Sequence, residues 1–118
     1  MREIFVFGSN LAGRHGAGSA KEAMLHHGAQ YGVGLGLRGD SYAIPTKGYG
    51  LEILDIEDIG EYIRTFVLHA KANPELKYNI VDIGCGLAGF NPTNIAPFFS
   101  GAPANCNFLG KLNQLVAR

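Results

Sequence analysis

At 118 residues, 47% apolar and 17% charged, the chain has material for one hydrophobic core and not for two, so a single domain over 1–118 is expected. Ten basic residues balance ten acidic ones, and neither sign forms a run. That excludes the broad basic face that nucleic acid or an acidic membrane surface demands. The first apolar stretch, "IFVF", is too short for a signal segment or a membrane span, and the cytoplasm is the expected compartment. Cys85 and Cys106 lack metal-ligand or disulfide-framework spacing and read as reduced thiols. His15, His26, His27 and His69 include no zinc-type pair beside a carboxylate, so neither a metal nor a cofactor is expected.

In chain order, "EIFVFG" predicts a strand over Glu3–Gly8, its near-continuous apolar run suited to a sheet covered on both faces. A helix is predicted from about Gly18, with Ala20, Ala23, Met24 and His27 on one face and a stop at Gly28. "YGVGLGLRG", Tyr31 to Gly39, is too glycine-rich for a strand and reads as a loop or short edge ribbon. "SYAIPT" predicts a strand over Ser41–Thr46, ended by Pro45, with the loop "KGYG" behind it.

The strongest helical period runs from Ile56 to Ala72, with Ile56, Ile59, Ile63, Phe66 and Ala70 on one face. Asp55 stands at the N-cap position, Lys71 in the last turn, and Asn73-Pro74 stops the helix. "KYNIVDIG" predicts a strand over Lys77–Gly84, followed by the loop "CGLAGFNP" and a short helix over about Thr93–Ser100. A last strand is expected near "NCNFLG" and a helical turn in "KLNQLVAR". Alternating strands and helices predict a layered α/β fold with a parallel or mixed sheet.

Two glycine-rich loops, "GSNLAGRHGAG" from Gly8 and "GCGLAGF" from Gly84, leave the carboxyl ends of predicted strands. In open α/β sheets that edge gathers loop amides and helix N-termini, which carry partial positive charge and suit a diphosphate. The pattern G-x-G-x-x-G occurs from Gly34 and again from Gly84, yet neither fits a dinucleotide fingerprint. The first follows no clear strand, and the second is followed by no Asp or Glu to hold a ribose.

These loops resemble the macrodomain superfamily, and most closely its short stand-alone members from bacteria and phages. The family's first loop runs approximately Asn-Ala-Ala-Asn and then, six residues on, Gly-Gly-Gly before a helix. Here Asn10 takes the second Asn position and Gly16–Gly18 the glycines. The family's second loop runs approximately Ile-Ser-Thr-Gly-x-aromatic-Gly-aromatic-Pro, and "IGCGLAGFN", Ile83 to Asn91, lies over it. Phe7 replaces the first Asn, Ala88 replaces an aromatic, and the strand preceded by the family's adenine-contacting Asp has no counterpart.

The resemblance implies a three-layer α/β/α fold and a small-molecule nucleotide ligand, ADP-ribose or a related ribose-diphosphate. It also permits hydrolysis of ADP-ribosyl conjugates or of ADP-ribose 1''-phosphate. By the same resemblance Gly8, Ser9, Asn10, Gly16, Ala17 and Gly18 approach the distal ribose and phosphate. Gly84, Gly86, Leu87, Ala88 and Gly89 give amides to the diphosphate, with Phe90 as one wall. Asn10 and His15 are the catalytic candidates, Asn10 on the ribose hydroxyl and His15 as acid or base.

Each position has a plainer alternative: Asn10 as the cap of the next turn, the glycines as tight turns, Phe90 as core, and His15 as incidental. Arg14 is either a phosphate clamp or a solvated charge, Asp40 and Lys47 are further loop candidates, and Cys85 reads as structural. Two rival functions remain: a Lonely-guy-type nucleotide hydrolase, whose Pro-Gly-Gly-x-Gly-Thr loop is missing here, and a protein-interaction module whose glycines are only turns.

Overall fold

A computed structural model describes residues 1–118. The elements are β1 (Glu3–Asn10), α1 (Gly18–His26), β2 (Gly36–Arg38), β3 (Ser41–Lys47), α2 (Ile56–Ala72), β4 (Lys77–Ile80), α3 (Pro92–Ile95) with a 3₁₀ turn Ala96–Phe99, β5 (Cys106–Phe108) and α4 (Leu112–Leu115). They build an α/β fold around one five-stranded sheet in the order β2-β3-β1-β4-β5. β1 runs parallel to β3 and β4, and β4 parallel to β5, while β2 is an antiparallel edge. No helix is long and apolar enough to cross a membrane.

β1 explains the two-sided core. Successive strand residues point to opposite faces, so Ile4 and Val6 join a cluster with Ile44, Ile59, Ile63, Phe66 and Ile80. Phe5 and Phe7 join a second cluster with Ala20, Ala23 and Ala43. α1 covers the second face with two alanines, which let the helix approach closely. His27, just past its end, stacks on Phe5 with ring centroids 4.3 Å apart. α2 covers the first face with the predicted residues Ile59, Ile63, Phe66 and Ala70, and Val67 joins them.

Several boundaries differ from the sequence expectation. β1 continues past Gly8 to Asn10 because its parallel pairing with β3 persists through a register shift at Ser9/Asn10. β3 contains Pro45 rather than ending there, since β2 pairs only with Ser41–Ala43 and leaves one flank of β3 free beyond it. β4 stops at Ile80, and the following segment turns away as loop. The helix expected over 93–100 is a single α-turn continued by a 3₁₀ turn, capped by Asn91, whose Oδ1 accepts from the Thr93 N–H at 3.0 Å. Asp55 occupies the N-cap of α2 without a side-chain capping bond; its carbonyl accepts from Asp58 and Ile59 instead.

Because β1, β3 and β4 are parallel, their carboxyl ends share one edge of the sheet. The loops that follow Asn10, Lys47 and Ile80 therefore meet there.

Candidate functional site

That edge holds a cleft of about 770 Å³. Its floor is the end of β1. Ser9 donates its hydroxyl to the Gly34 carbonyl, and Thr46 donates its own to the Ser9 carbonyl at 3.2 Å. Gly8 sits between the neighbouring strands: a Cβ there would stand 3.7 Å from Thr46 and 3.8 Å from the Gly84 nitrogen.

Of the residues singled out from sequence, Gly8, Ser9, Asn10, Gly16, Ala17 and Gly18 line the cleft from one loop, and Gly84, Gly86, Leu87 and Ala88 from the other. Arg14, Lys47 and Cys85 line it as well. Gly89 and Phe90 do not. Gly89, at φ 79°, closes a turn by donating its N–H to the Gly86 carbonyl at 3.0 Å. Phe90 packs against the core, and its N–H donates to the Gly84 carbonyl at 2.8 Å. Asp40 lies outside the cleft, in an ion pair with Arg2 at 2.7 Å.

The acid-base role considered for His15 does not fit its placement. The ring is fully buried and outside the cleft, edge-on to Phe7 at 5.4 Å. Its Nε2 lies 3.2 Å from the Gln30 carbonyl and 3.0 Å from that of Val33. Carbonyls only accept, so Nε2 carries the proton and His15 ties the 30–33 segment to β1. Asn10 meets the plainer of its two readings: Oδ1 accepts from the Arg14 N–H at 2.9 Å, and Nδ2 donates to the Arg14 carbonyl at 3.0 Å. One lone pair and one amide hydrogen remain for a ligand.

The electrostatics of the cleft favour an anion. Arg14, Lys47 and Lys111 line it, and none of the three forms an ion pair. Asp82 is the one acidic residue in the lining; its carboxylate accepts from the N–H groups of Lys111 and Leu112 at 3.0 and 3.1 Å. α1 begins without a side-chain cap, and the N–H groups of Gly18, Ser19 and Ala20 have no protein acceptor. Those of Gly86, Leu87 and Ala88 have none either. Unpaired amides at a helix start and in a loop form an anion cradle. Burial, reinforced by Asp82 and opposed by Lys111, raises the Cys85 thiol above its ordinary pKa, so it stays protonated and a poor nucleophile.

The glycines divide into two groups. A Cβ on Gly34 would collide with the Asn10 carbonyl, and one on Gly13 (φ 70°) with the backbone of Gly32 and Val33. These glycines let the 31–36 segment lie directly on the loop after β1, a role in packing rather than in ligand binding. Gly16 and Gly86, by contrast, have nothing within 4 Å of a built Cβ and no positive φ, so a side chain at either would stand in open space at the cleft.

Sequence reasoning missed Ser19 and Ala20 in the first turn of α1, and Thr46, Leu51, Val81, Asp82, Pro92 and Lys111 elsewhere in the lining. Asp82 adjoins a glycine loop at a strand end, which was a usable signal. Lys111 had none, because the Asp82 carboxylate that caps its turn is far away in sequence. No cluster of three or more His, Cys, Asp or Glu side chains stands ready to hold a metal. Compared with known proteins, the chain matches no family model, no curated sequence and no solved structure.

Proposed function

We propose that the chain binds ADP-ribose or a related ribose-diphosphate nucleotide in this cleft, as a cytoplasmic domain whose sheet and covering helices form a macrodomain-like three-layer α/β/α arrangement. The observation that carries the reading is the convergence of three unpaired cations, Arg14, Lys47 and Lys111, with two sets of unpaired amides around one cleft. Two adjacent phosphates use both sets of amides, whereas a single phosphate uses one. Ribose hydroxyls then meet the remaining capacity of Asn10 and the Ser19 hydroxyl.

The reading is of a binding site. Hydrolysis of an ADP-ribosyl bond or of ADP-ribose 1''-phosphate needs a proton-transfer group in reach. His15 is outside the cleft, the Cys85 thiol is held protonated, and each oxygen of the Asp82 carboxylate accepts a backbone N–H of the C-terminal segment, which holds it in place there.

Thermal unfolding with ADP-ribose, ADP-ribose 1''-phosphate, cyclic ADP-ribose, NAD and AMP tests the proposal. A ligand at 100 times its Kd adds about 2.7 kcal/mol of stability, a visible shift for a domain this size. ADP-ribose is expected to stabilise more than AMP; equal shifts would remove the second phosphate and distal ribose from the account.

A further inference from the structure

We infer that the cleft reads the diphosphate and leaves the base unread, so that its ligand class is nucleoside diphosphates and nucleoside-diphosphate sugars of any base. The inference rests on the diphosphate reading above and narrows it. Discrimination between bases needs directional donors or acceptors that the wrong base leaves unpaired. Nearly every neutral or acidic polar side chain in the lining already has a protein partner. Ser9 is bonded to Gly34, Thr46 to Ser9, Cys85 to Ile83, and Asn10 to both backbone groups of Arg14.

Asp82 is the side chain best suited to an exocyclic amine, and it is turned toward the C-terminal segment. Its oxygens accept from Lys111 and Leu112, and a Cβ on Gly110 would run into the same carboxylate. The hydroxyl without a partner, that of Ser19, sits in the first turn of α1 among the anion-binding amides.

With the unpaired amides assigned to the phosphates and the spare capacity of Asn10 and Ser19 to the ribose, what the side chains offer a base is positive charge and apolar surface. Leu51 follows β3 and Leu87 follows β4, the two strands that flank β1, so they rise on opposite sides of the floor. They are 40% and 74% exposed, so both side chains are open to a ligand lying in the cleft. Leu51 is also the one non-glycine residue with a left-handed backbone, at φ 65°. The surrounding hairpin holds it there through the Lys47–Ile53 bridge, a Gly48 N–H to Glu52 carbonyl bond of 2.8 Å, and a Leu51 N–H to Gly48 carbonyl bond of 3.1 Å. Aliphatic side chains at a cleft edge contact the flat face that every base has, and that contact carries no base identity.

Equilibrium titrations with ADP, GDP, CDP, UDP, AMP and inorganic pyrophosphate test this. The nucleoside diphosphates should bind within about threefold of one another, all more tightly than AMP. Leu51→Gly relieves the left-handed backbone while removing the side chain. It should weaken all four nucleoside diphosphates by a common factor of about three to ten and leave pyrophosphate unchanged. Leu87→Ser, at an exposed position, should do the same. ADP binding more than about tenfold tighter than the other three would overturn base indifference while keeping the diphosphate site. A pyrophosphate loss equal to the nucleotide loss in both leucine variants would overturn the apolar wall. If neither pyrophosphate nor any nucleoside diphosphate binds, the diphosphate reading itself falls and takes the inference with it.

Discussion

The side chain of Asn10 clasps the backbone of Arg14 from both sides, donating to its carbonyl at 3.0 Å and accepting from its N–H at 2.9 Å. The clasp sets the loop from which Arg14 lines the cleft and which leads to Gly16–Gly18. Asn10→Ala should lower stability by about 1–3 kcal/mol through two lost, partly buried hydrogen bonds, and weaken ADP-ribose along with it. Arg14→Ala keeps the clasp, so its stability should stay within about 0.5 kcal/mol of wild type while affinity falls. Denaturant unfolding and ligand titration of both variants separate the effects. Equal destabilisation by the two substitutions would show that the clasp is not what holds the loop.

The two groups of glycines should respond oppositely to substitution. Gly34→Ala drives a methyl into the Asn10 carbonyl and should cost about 1–3 kcal/mol or more, as overpacking does. Gly86→Val adds a side chain where nothing lies within 4 Å, so the fold should survive while the side chain occupies the space a phosphate needs. Circular dichroism melts and ADP-ribose binding check both. Unfolding of Gly86→Val would make that residue a structural turn.

His69 gives stability a pH dependence. Its ring lies 5.0 Å from that of Tyr42 and 5.6 Å from that of Tyr78, and its Nε2 is buried without a partner. Burial lowers its pKa below the ordinary 6.5, with Glu75 opposing the shift. Below 6.5 the unfolded chain therefore takes up a proton that the folded chain resists. The contribution is complete above that value and is lost as pH falls through the lower folded pKa. Urea midpoints at pH 7.5 and 5 should drop more for wild type than for His69→Leu. Identical drops would assign the acid sensitivity to other groups.

The thiols report on the cleft from another direction. Burial pushes Cys106 up to about 11 and also raises Cys85, but only Cys85 lines the cleft. Alkylation of the folded protein at neutral pH should modify Cys85 slowly, faster as pH rises, and leave Cys106 untouched until unfolding. Saturating ADP-ribose should slow Cys85 further. Mass spectrometry of the labelled peptides measures this, and labelling of Cys85 at one rate with and without ligand would place the ligand elsewhere.

The parts of the fold legible in the sequence were those set by local period. Ile59, Ile63, Phe66 and Ala70 marked α2 because helical spacing alone aligns them, and the IFVF run marked a strand with both faces covered. Both glycine loops of the cleft were legible because each follows a strand. What depended on contacts distant in sequence was not. Gly34 is glycine because Asn10 lies against it, and Lys111 reaches the cleft because Asp82 caps its turn. His15 has the composition of a catalytic group and the position of a strut, a distinction only the 30–33 segment packed over it reveals.

Calorimetric titration of ADP-ribose into wild type and into a Lys47→Gln/Lys111→Gln double variant asks whether the cleft binds a diphosphate through its unpaired charges. Both lysines line the cleft without an ion-pair partner. Binding should be one-to-one, weaken as salt rises, and fall by about tenfold or more in the double variant, whose fold should be intact. No binding by the wild type, or binding indifferent to both salt and the loss of the two charges, would contradict it.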